Sequence, residues 1–404
     1  MPVGLSLPDS LLPVPGIRLA SAAAGIRYSG RDDLLVIELS EGSRTAAVFT
    51  RNAFRAAPVE IASEHLAARS PRYLLINAGN ANAGTGQTGK ADARASCRAL
   101  AKVTHCDPQE VLPFSTGVIG ERLPLERLIA PLESVVDRLR ADGWGDAARA
   151  IMTTDTVPKA VSRRIEIGGV GVTITGIAKG AGMIHPDMAT MLAFVATDAV
   201  MSQDLLGNTL SSLVKGSFNS ITVDGDTSTN DACVLVATGK SSVEVTGSTR
   251  EFPAFHSALE GVMTDLAQAI VRDAEGATRF VSIRVQGARD ESEARAAAFT
   301  IAHSPLVKTA FFAGDPNWGR ILAALGRVGI ESFEIDRVGL FLDEVEVVRT
   351  GGVAPGYREE DGGRVMSREE FTVTVVLGRG ESRAVVWTSD LSHEYVRINA
   401  EYRS

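Results

Sequence analysis

The segment AKGAGMIHPDMATMLAFVATDA, residues 178–199, sets Lys179, His185 and Asp187 ahead of an apolar run whose first hydroxyl is Thr190. A threonine hydroxyl is a poor nucleophile until a base takes its proton. Taken alone, Thr190 reads as a half-buried strand threonine and Lys179 as a solvated surface lysine. His185 and Asp187 precede Thr190 with no third partner in the sequence. Neither a Ser/His/Asp arrangement nor a metal site is therefore read there.

Other segments are rich in small and hydroxyl residues. NAGNANAGTG (77–86) and STGVIG (115–120) offer many exposed backbone N–H groups that could hold an anion. Neither has the phosphate-loop pattern or a GxGxxG between strand and helix, so each alone reads as a tight turn. TVDGDTSTND resembles a calcium loop in composition only, because Asp224, Asp226 and Asp231 lack the glycine and distal glutamate at the required spacing. Asp315 and Trp318 of AGDPNWGR read as a helix-start or packing device without a catalytic role.

As a set, NAGNANAGTG, PFSTGVIG, IMTTDT, GIAKGAGMIHPDMATMLAF, TVDGDTSTND, AGDPNWGR and the terminal YVRINAEYRS closely resemble, in this order, the ornithine acetyltransferase family of arginine biosynthesis. The resemblance spans nearly the whole chain, and its one loose position is Gly84, where many relatives have a cysteine. It implies self-cleavage between Ala189 and Thr190 into chains 1–189 and 190–404 that stay intertwined, with a carboxyl-terminal subdomain over about 284–404. That cut would give Thr190 a base of its own, an α-amine of pKa roughly 7.7–8.0 with a useful neutral fraction near neutral pH. The implied fold is α/β (α+β), a layered α-β-β-α core of the ornithine acetyltransferase/aminopeptidase type with a smaller C-terminal α/β subdomain.

The implied reaction moves acetyl from N2-acetyl-L-ornithine to L-glutamate through an acetyl-threonine at Thr190. It needs no cofactor and no metal, and acetyl-CoA is a further donor if this member is bifunctional. Matching positions make Thr116 and Gly117 the oxyanion hole, and Thr156, Lys179, Thr190, Glu275, Asn399 and Ser404 the substrate contacts. Lys179 suits the amino acid's carboxylate; Glu275 suits an amine or a proton transfer beside Thr190. The implied assembly is a heterotetramer of two α and two β chains. Two other readings differ in kind: an amino-terminal-nucleophile amidase or aminopeptidase in which water takes the acyl group, and a non-enzymatic amino-acid-binding protein.

Composition sets the frame for these residues. With 404 residues, 45% hydrophobic and 22% charged, the chain can bury the cores of two or more domains. A net charge of -8 without a basic block argues against a nucleic-acid partner. Cys97, Cys106 and Cys233 are an odd number without metal-ligand spacing, which fits a reducing compartment, and a cytoplasmic location is expected. No stretch of about 20 apolar residues predicts a membrane span.

Apolar and β-branched runs predict strands at 32–40, 44–50, 72–78 and 191–199, with RRIEIGG and VGVTITGIA before the last of these. Further strands are predicted at ACVLVAT, RFVSIRV, GLFLDEVEVV, EFTVTVVLG and SRAVVWTSD. Helices are expected at 89–103, at 123–143 with Gly143 as its stop, and at 203–221 and 254–274; a long helical region is expected at 304–326. Gly287 and the polar stretch 359–364 are the weak boundary candidates.

Overall fold

The computed structural model describes residues 2–6, 10–185, 191–248 and 250–401, in two compact units. The larger comprises Ser6–Asn219 and Thr227–Ile270; the smaller comprises Met1–Leu5, Ser220–Asp226 and Val271–Ser404.

Two sheets form the middle of the larger unit. The first runs in the order Ile17–Ala22, Leu34–Leu39, Tyr73–Asn80, Val111–Val118; the second in the order Arg44–Phe49, Ala232–Ala237, Leu192–Thr197, Val170–Lys179, Lys159–Ile167. The near-continuous apolar run LLVIEL follows from burial on both faces. Leu35, Ile37 and Leu39 enter the core between the sheets, where Phe114 meets Phe194 edge-on at 5.1 Å. Leu34 and Val36 point the other way, against Cys97, Leu100 and Ala101 of the helix Gly86–Thr104. On the outer side of the second sheet, the helix Gln203–Gly216 packs on Arg44–Phe49. There the helix Phe252–Arg272 comes so near Gly176 that a Cβ at that glycine would lie 2.9 Å from the Leu266 Cδ1. The unit is thus layered α-β-β-α, as the resemblance implied.

The smaller unit is built on a seven-stranded sheet in which Phe280–Ala288 pairs in parallel with the middle strand Glu370–Val376 and antiparallel with Ser382–Ser389. Val281, Ile283 and Val285 pack with the alanine face of the helix Glu291–Ala302.

Several expectations are corrected. The helix expected over 123–143 is broken into Leu125–Ile129 and Leu132–Asp137, because Pro131 has no N–H to continue it. Gly143 does not stop that helix; it is the N-cap of Trp144–Ala150. The helix expected over 203–221 ends at Gly216. The region 304–326 is two helices, Pro305–Ala313, ended by Gly314 at φ 66°, and Trp318–Gly326, capped by the Asn317 side chain. The strand Ile17–Ala22 was not expected. Gly287 lies inside the strand Phe280–Ala288 at a register shift, and residues 359–364 open the helix Glu359–Met366. Neither therefore marks a boundary.

Candidate active site

In the larger unit, Thr116 and Gly117 were expected in a turn with exposed N–H groups. They instead lie in the strand Val111–Val118, Thr116 is buried, and Gly117 pairs with Gly79 of Tyr73–Asn80. Residues 77–83 are likewise buried. Gly117 has φ 132°, closed to L side chains, and a Cβ there would sit 2.2 Å from the Gly79 carbonyl carbon. A buried polar network fixes this strand end. The Ser115 hydroxyl donates to Asn77 Oδ1 at 2.6 Å, Asn77 Nδ2 donates to the Asn80 carbonyl at 2.9 Å, and Asn230 Nδ2 donates to the carbonyls of Ala81 and Ser115 at 2.6 and 2.9 Å. With its donors and acceptors matched, such a network is rigid.

Lys179 ends the strand Val170–Lys179 in the second sheet, and its Nζ donates to Thr116 Oγ1 at 3.1 Å. The contact brings together two residues singled out from separate motifs. An oxygen that accepts from an ammonium keeps its own O–H to give, and is polarised toward giving it. Behind Lys179, the Asp155 carboxylate accepts from Lys159 Nζ at 2.6 Å and from the Gly180 N–H at 2.8 Å. Burial alone would push that carboxyl up, but Lys159, Lys179 and the Gly180 N–H together hold it well below the ordinary carboxylate range. Thr156 follows Asp155 on the exposed side of the turn.

In the smaller unit, Asn399 of the helix His393–Ala400 donates through Nδ2 to Glu275 Oε2 at 2.8 Å, joining two expected substrate contacts. Glu275 is buried, whereas Asn399 is exposed. The helix is fastened to the Glu275 turn. The Ser392 hydroxyl donates to the Gly276 carbonyl at 2.6 Å, and Asp390 accepts from the Thr278 hydroxyl and from the N–H groups of Thr278 and Arg279. A Cβ on Gly276, at φ 69°, would lie 2.5 Å from the Tyr395 nitrogen. The Tyr395 O–H donates to Asp224 Oδ2 at 3.2 Å. Burial, with Asp224 and Glu275 nearby, raises its pKa and keeps it protonated.

Asp224 and Asp226 belong to the smaller unit and Asp231 to the larger. Among the described residues, no group of three or more His, Cys, Asp and Glu stands close enough to hold a metal ion. No described helix is long and apolar enough to cross a membrane. Asp315 accepts from Asn317 Nδ2 at the start of the Trp318 helix and Trp318 packs against the core of the smaller unit, the helix-start and packing roles expected of the pair. Ala189, Thr190 and Ser404, and with them Asp187, lie outside the described residues.

Residues 18–404 match the ArgJ family. The chain belongs to the ArgJ family. It is an enzyme of arginine biosynthesis, a glutamate N-acetyltransferase, and the motif resemblance pointed to this family. The arginine biosynthesis bifunctional protein ArgJ of Methylococcus capsulatus is 59% identical over 395 residues, covering 98% of this chain and 97% of its own. The protein of that name from Psychrobacter arcticus is 52% identical over 407 residues, covering both chains completely. The crystal structure of the Bacillus halodurans ArgJ protein is 37% identical, covers 52% of this chain and 99% of its own, and superposes with a TM-score of 0.50.

Within this ArgJ-family chain, sequence reasoning missed Asp155, Lys159, Asn77, Ser115 and Asn230. Asp155 stood inside the quoted IMTTDT, and an acid four residues before a lysine was its one signal.

Proposed function

We propose that the chain transfers acetyl from N2-acetyl-L-ornithine to L-glutamate by way of an acetyl ester on Thr190. Self-cleavage at Ala189–Thr190 first frees the threonine's amine. That amine takes the hydroxyl proton as Oγ attacks the acetyl carbonyl, the C–N bond to ornithine breaks, and the proton leaves on ornithine's amine. The glutamate amine then attacks the ester, and the threonine recovers its proton. Thr116 and Gly117 stabilise the oxyanion, Lys179 binds the α-carboxylate that donor and acceptor share, and Thr156, Glu275, Asn399 and Ser404 complete the substrate contacts. No cofactor takes part. Acetyl-CoA serves as a second donor, in keeping with the bifunctional names of the two curated relatives. The cleaved chains form a cytoplasmic heterotetramer of two α and two β chains.

The observation that carries this reading is the Lys179–Thr116 contact, which sets a carboxylate-binding cation against a hydroxyl able to meet an oxyanion. The crystallised Bacillus halodurans chain adds support. Nearly all of it aligns to 52% of the present chain, the share that a break near the middle would leave.

The test is intact mass spectrometry combined with an acetyl-transfer assay. The unmodified protein should give two fragments, the larger beginning at Thr190, with glutamate accelerating ornithine release. Thr190→Ala should remain one chain without transfer. Normal cleavage of that variant, or hydrolysis outrunning transfer in the unmodified enzyme, would overturn the reading.

A further inference from the structure

Asp155 is a buried acid to which no step of the proposed reaction gives a task. Its Oδ1 takes both the Lys159 ammonium and the Gly180 N–H, and its Oδ2 accepts from the Thr153 N–H at 2.9 Å. Lys159 is 2% exposed and Lys179 9%. Replacing a buried ion pair by apolar groups of similar volume is often neutral or stabilising, so packing alone does not account for three charges in this place.

Lys159 lies opposite Ala178 in the antiparallel pair formed with Val170–Lys179, so the pleat directs the Lys159 and Lys179 side chains to opposite faces at this end of the sheet, and the charges of both reach the Asp155 carboxylate. Two ammonium groups that act on one place need an anion beside them. Asp155 supplies it, and its bond to the Gly180 N–H also fixes the peptide that follows Lys179, where φ is 149°.

We propose that Asp155, paired with Lys159, is a positioning residue for acetyl transfer: it fixes the Lys179–Gly180 peptide and holds the Asp155–Lys159–Lys179 cluster at one net positive charge, presented to Thr116 and to the substrate's α-carboxylate. The proposal rests on the reading that Lys179 binds that carboxylate. Among the described residues Tyr28 also faces the cluster, its hydroxyl pushed up mainly by burial and also by Asp155, with Arg31 stacked on its ring at 3.6 Å. Tyr28 stays neutral through the neutral range and does not alter the cluster's charge there.

The experiment measures transfer from N-acetylornithine to glutamate, varying each substrate, between about pH 6 and pH 9, a range that spans the titration expected of a crowded ammonium. In Asp155→Asn two ammonium groups share the site without a carboxylate, and Lys179 sheds its proton more readily. KM for both substrates should match the unmodified enzyme at the acid end and exceed it by about tenfold at the alkaline end. Lys159→Met leaves a neutral Asp155–Lys179 pair that draws the ammonium from substrate, so both KM values should rise by about tenfold at every pH. The double variant D155N/K159M regains one net charge and should lose the alkaline rise.

A folded D155N whose KM values follow the unmodified enzyme throughout overturns the proposal, as does a double variant that keeps the rise. If D155N does not fold, unchanged KM values in folded K159M overturn it. Lys179→Met separates the two readings. Unchanged KM values there remove the carboxylate-binding role itself; raised values there, with D155N and K159M unaffected, remove only the positioning role.

Discussion

A Cβ on Gly117 would fall 2.2 Å from the carbonyl carbon of Gly79, its partner on the adjacent parallel strand. The clash is with backbone, which no side-chain movement relieves. A Cβ on Gly79, at φ 100°, would in turn lie 2.6 Å from the Arg27 Cβ in the loop that follows Ile17–Ala22. That loop is anchored by Asp33, which accepts from the N–H groups of Ala24 and Ile26 at 2.7 Å. Gly117→Ala should therefore destabilise the larger unit by roughly 3 kcal/mol or more. Thermal melting checks this; a transition within about 2 °C of the unmodified protein would show that the strands separate there at little cost.

Thr116→Ala removes one hydroxyl from a buried site and leaves the strand pairing intact. Turnover should fall by roughly a hundredfold to a thousandfold, while the melting curve stays close to that of the unmodified protein. Thr116→Ser, which keeps the hydroxyl that meets Lys179, should recover most of the rate. A serine variant as slow as the alanine variant would assign the loss to the missing methyl group instead.

Lys308 gives the smaller unit a pH dependence of its own. Its Nζ donates to Thr388 Oγ1 at 2.9 Å and to the Ser389 carbonyl, and burial pushes its pKa down to about 8, against the opposing pull of Asp390 and Asp224. Between about pH 8 and the ordinary lysine value of 10.5 the unfolded chain holds a proton that the folded chain does not, so this group's contribution to stability rises with pH. Buried thiols and phenols with raised pKa values, such as Cys97 and Tyr73, act in the opposite sense. The measurement is therefore a difference, urea unfolding of the unmodified protein against Lys308→Met. From pH 7.5 to 10.5 that difference should move in favour of the unmodified protein by roughly 3 kcal/mol. A constant difference would mean that Lys308 is charged in the folded protein across the whole window.

The central strands were legible because burial on both faces leaves an unbroken apolar run, as in Leu34–Leu39. Helical spacing was less secure over 123–143. Leu125, Ile129, Leu132 and Val136 fit one continuous face, but the interruption at Pro131 turns the chain, and the buried residues are Leu128, Leu132 and Val135. Thr116 and Gly117 were found as a motif and misread as a loop, since only the pairing of Gly117 with Gly79 makes that glycine part of a strand. Asp155 stayed hidden for another reason. An acid and a lysine four residues apart look like a surface ion pair until the fold buries both. Glu275 and Asn399, 124 residues apart, could be linked only through the family pattern until the helix bearing Asn399 was seen fastened to the Glu275 turn.

The strand order of the five-stranded sheet bears on what a cut between Ala189 and Thr190 does to thermodynamics. Ala232–Ala237 and Leu192–Thr197, from the carboxyl-terminal side of the cut, lie between Arg44–Phe49 on one flank and Val170–Lys179 on the other, both from the amino-terminal side. Neither fragment can leave without opening ladders on both flanks. Unfolding the cut assembly of two α and two β chains therefore frees four molecules from one, and its midpoint should move upward with protein concentration. The same assembly of uncut Thr190→Ala chains frees only two molecules, and its midpoint should move less across the same dilution series.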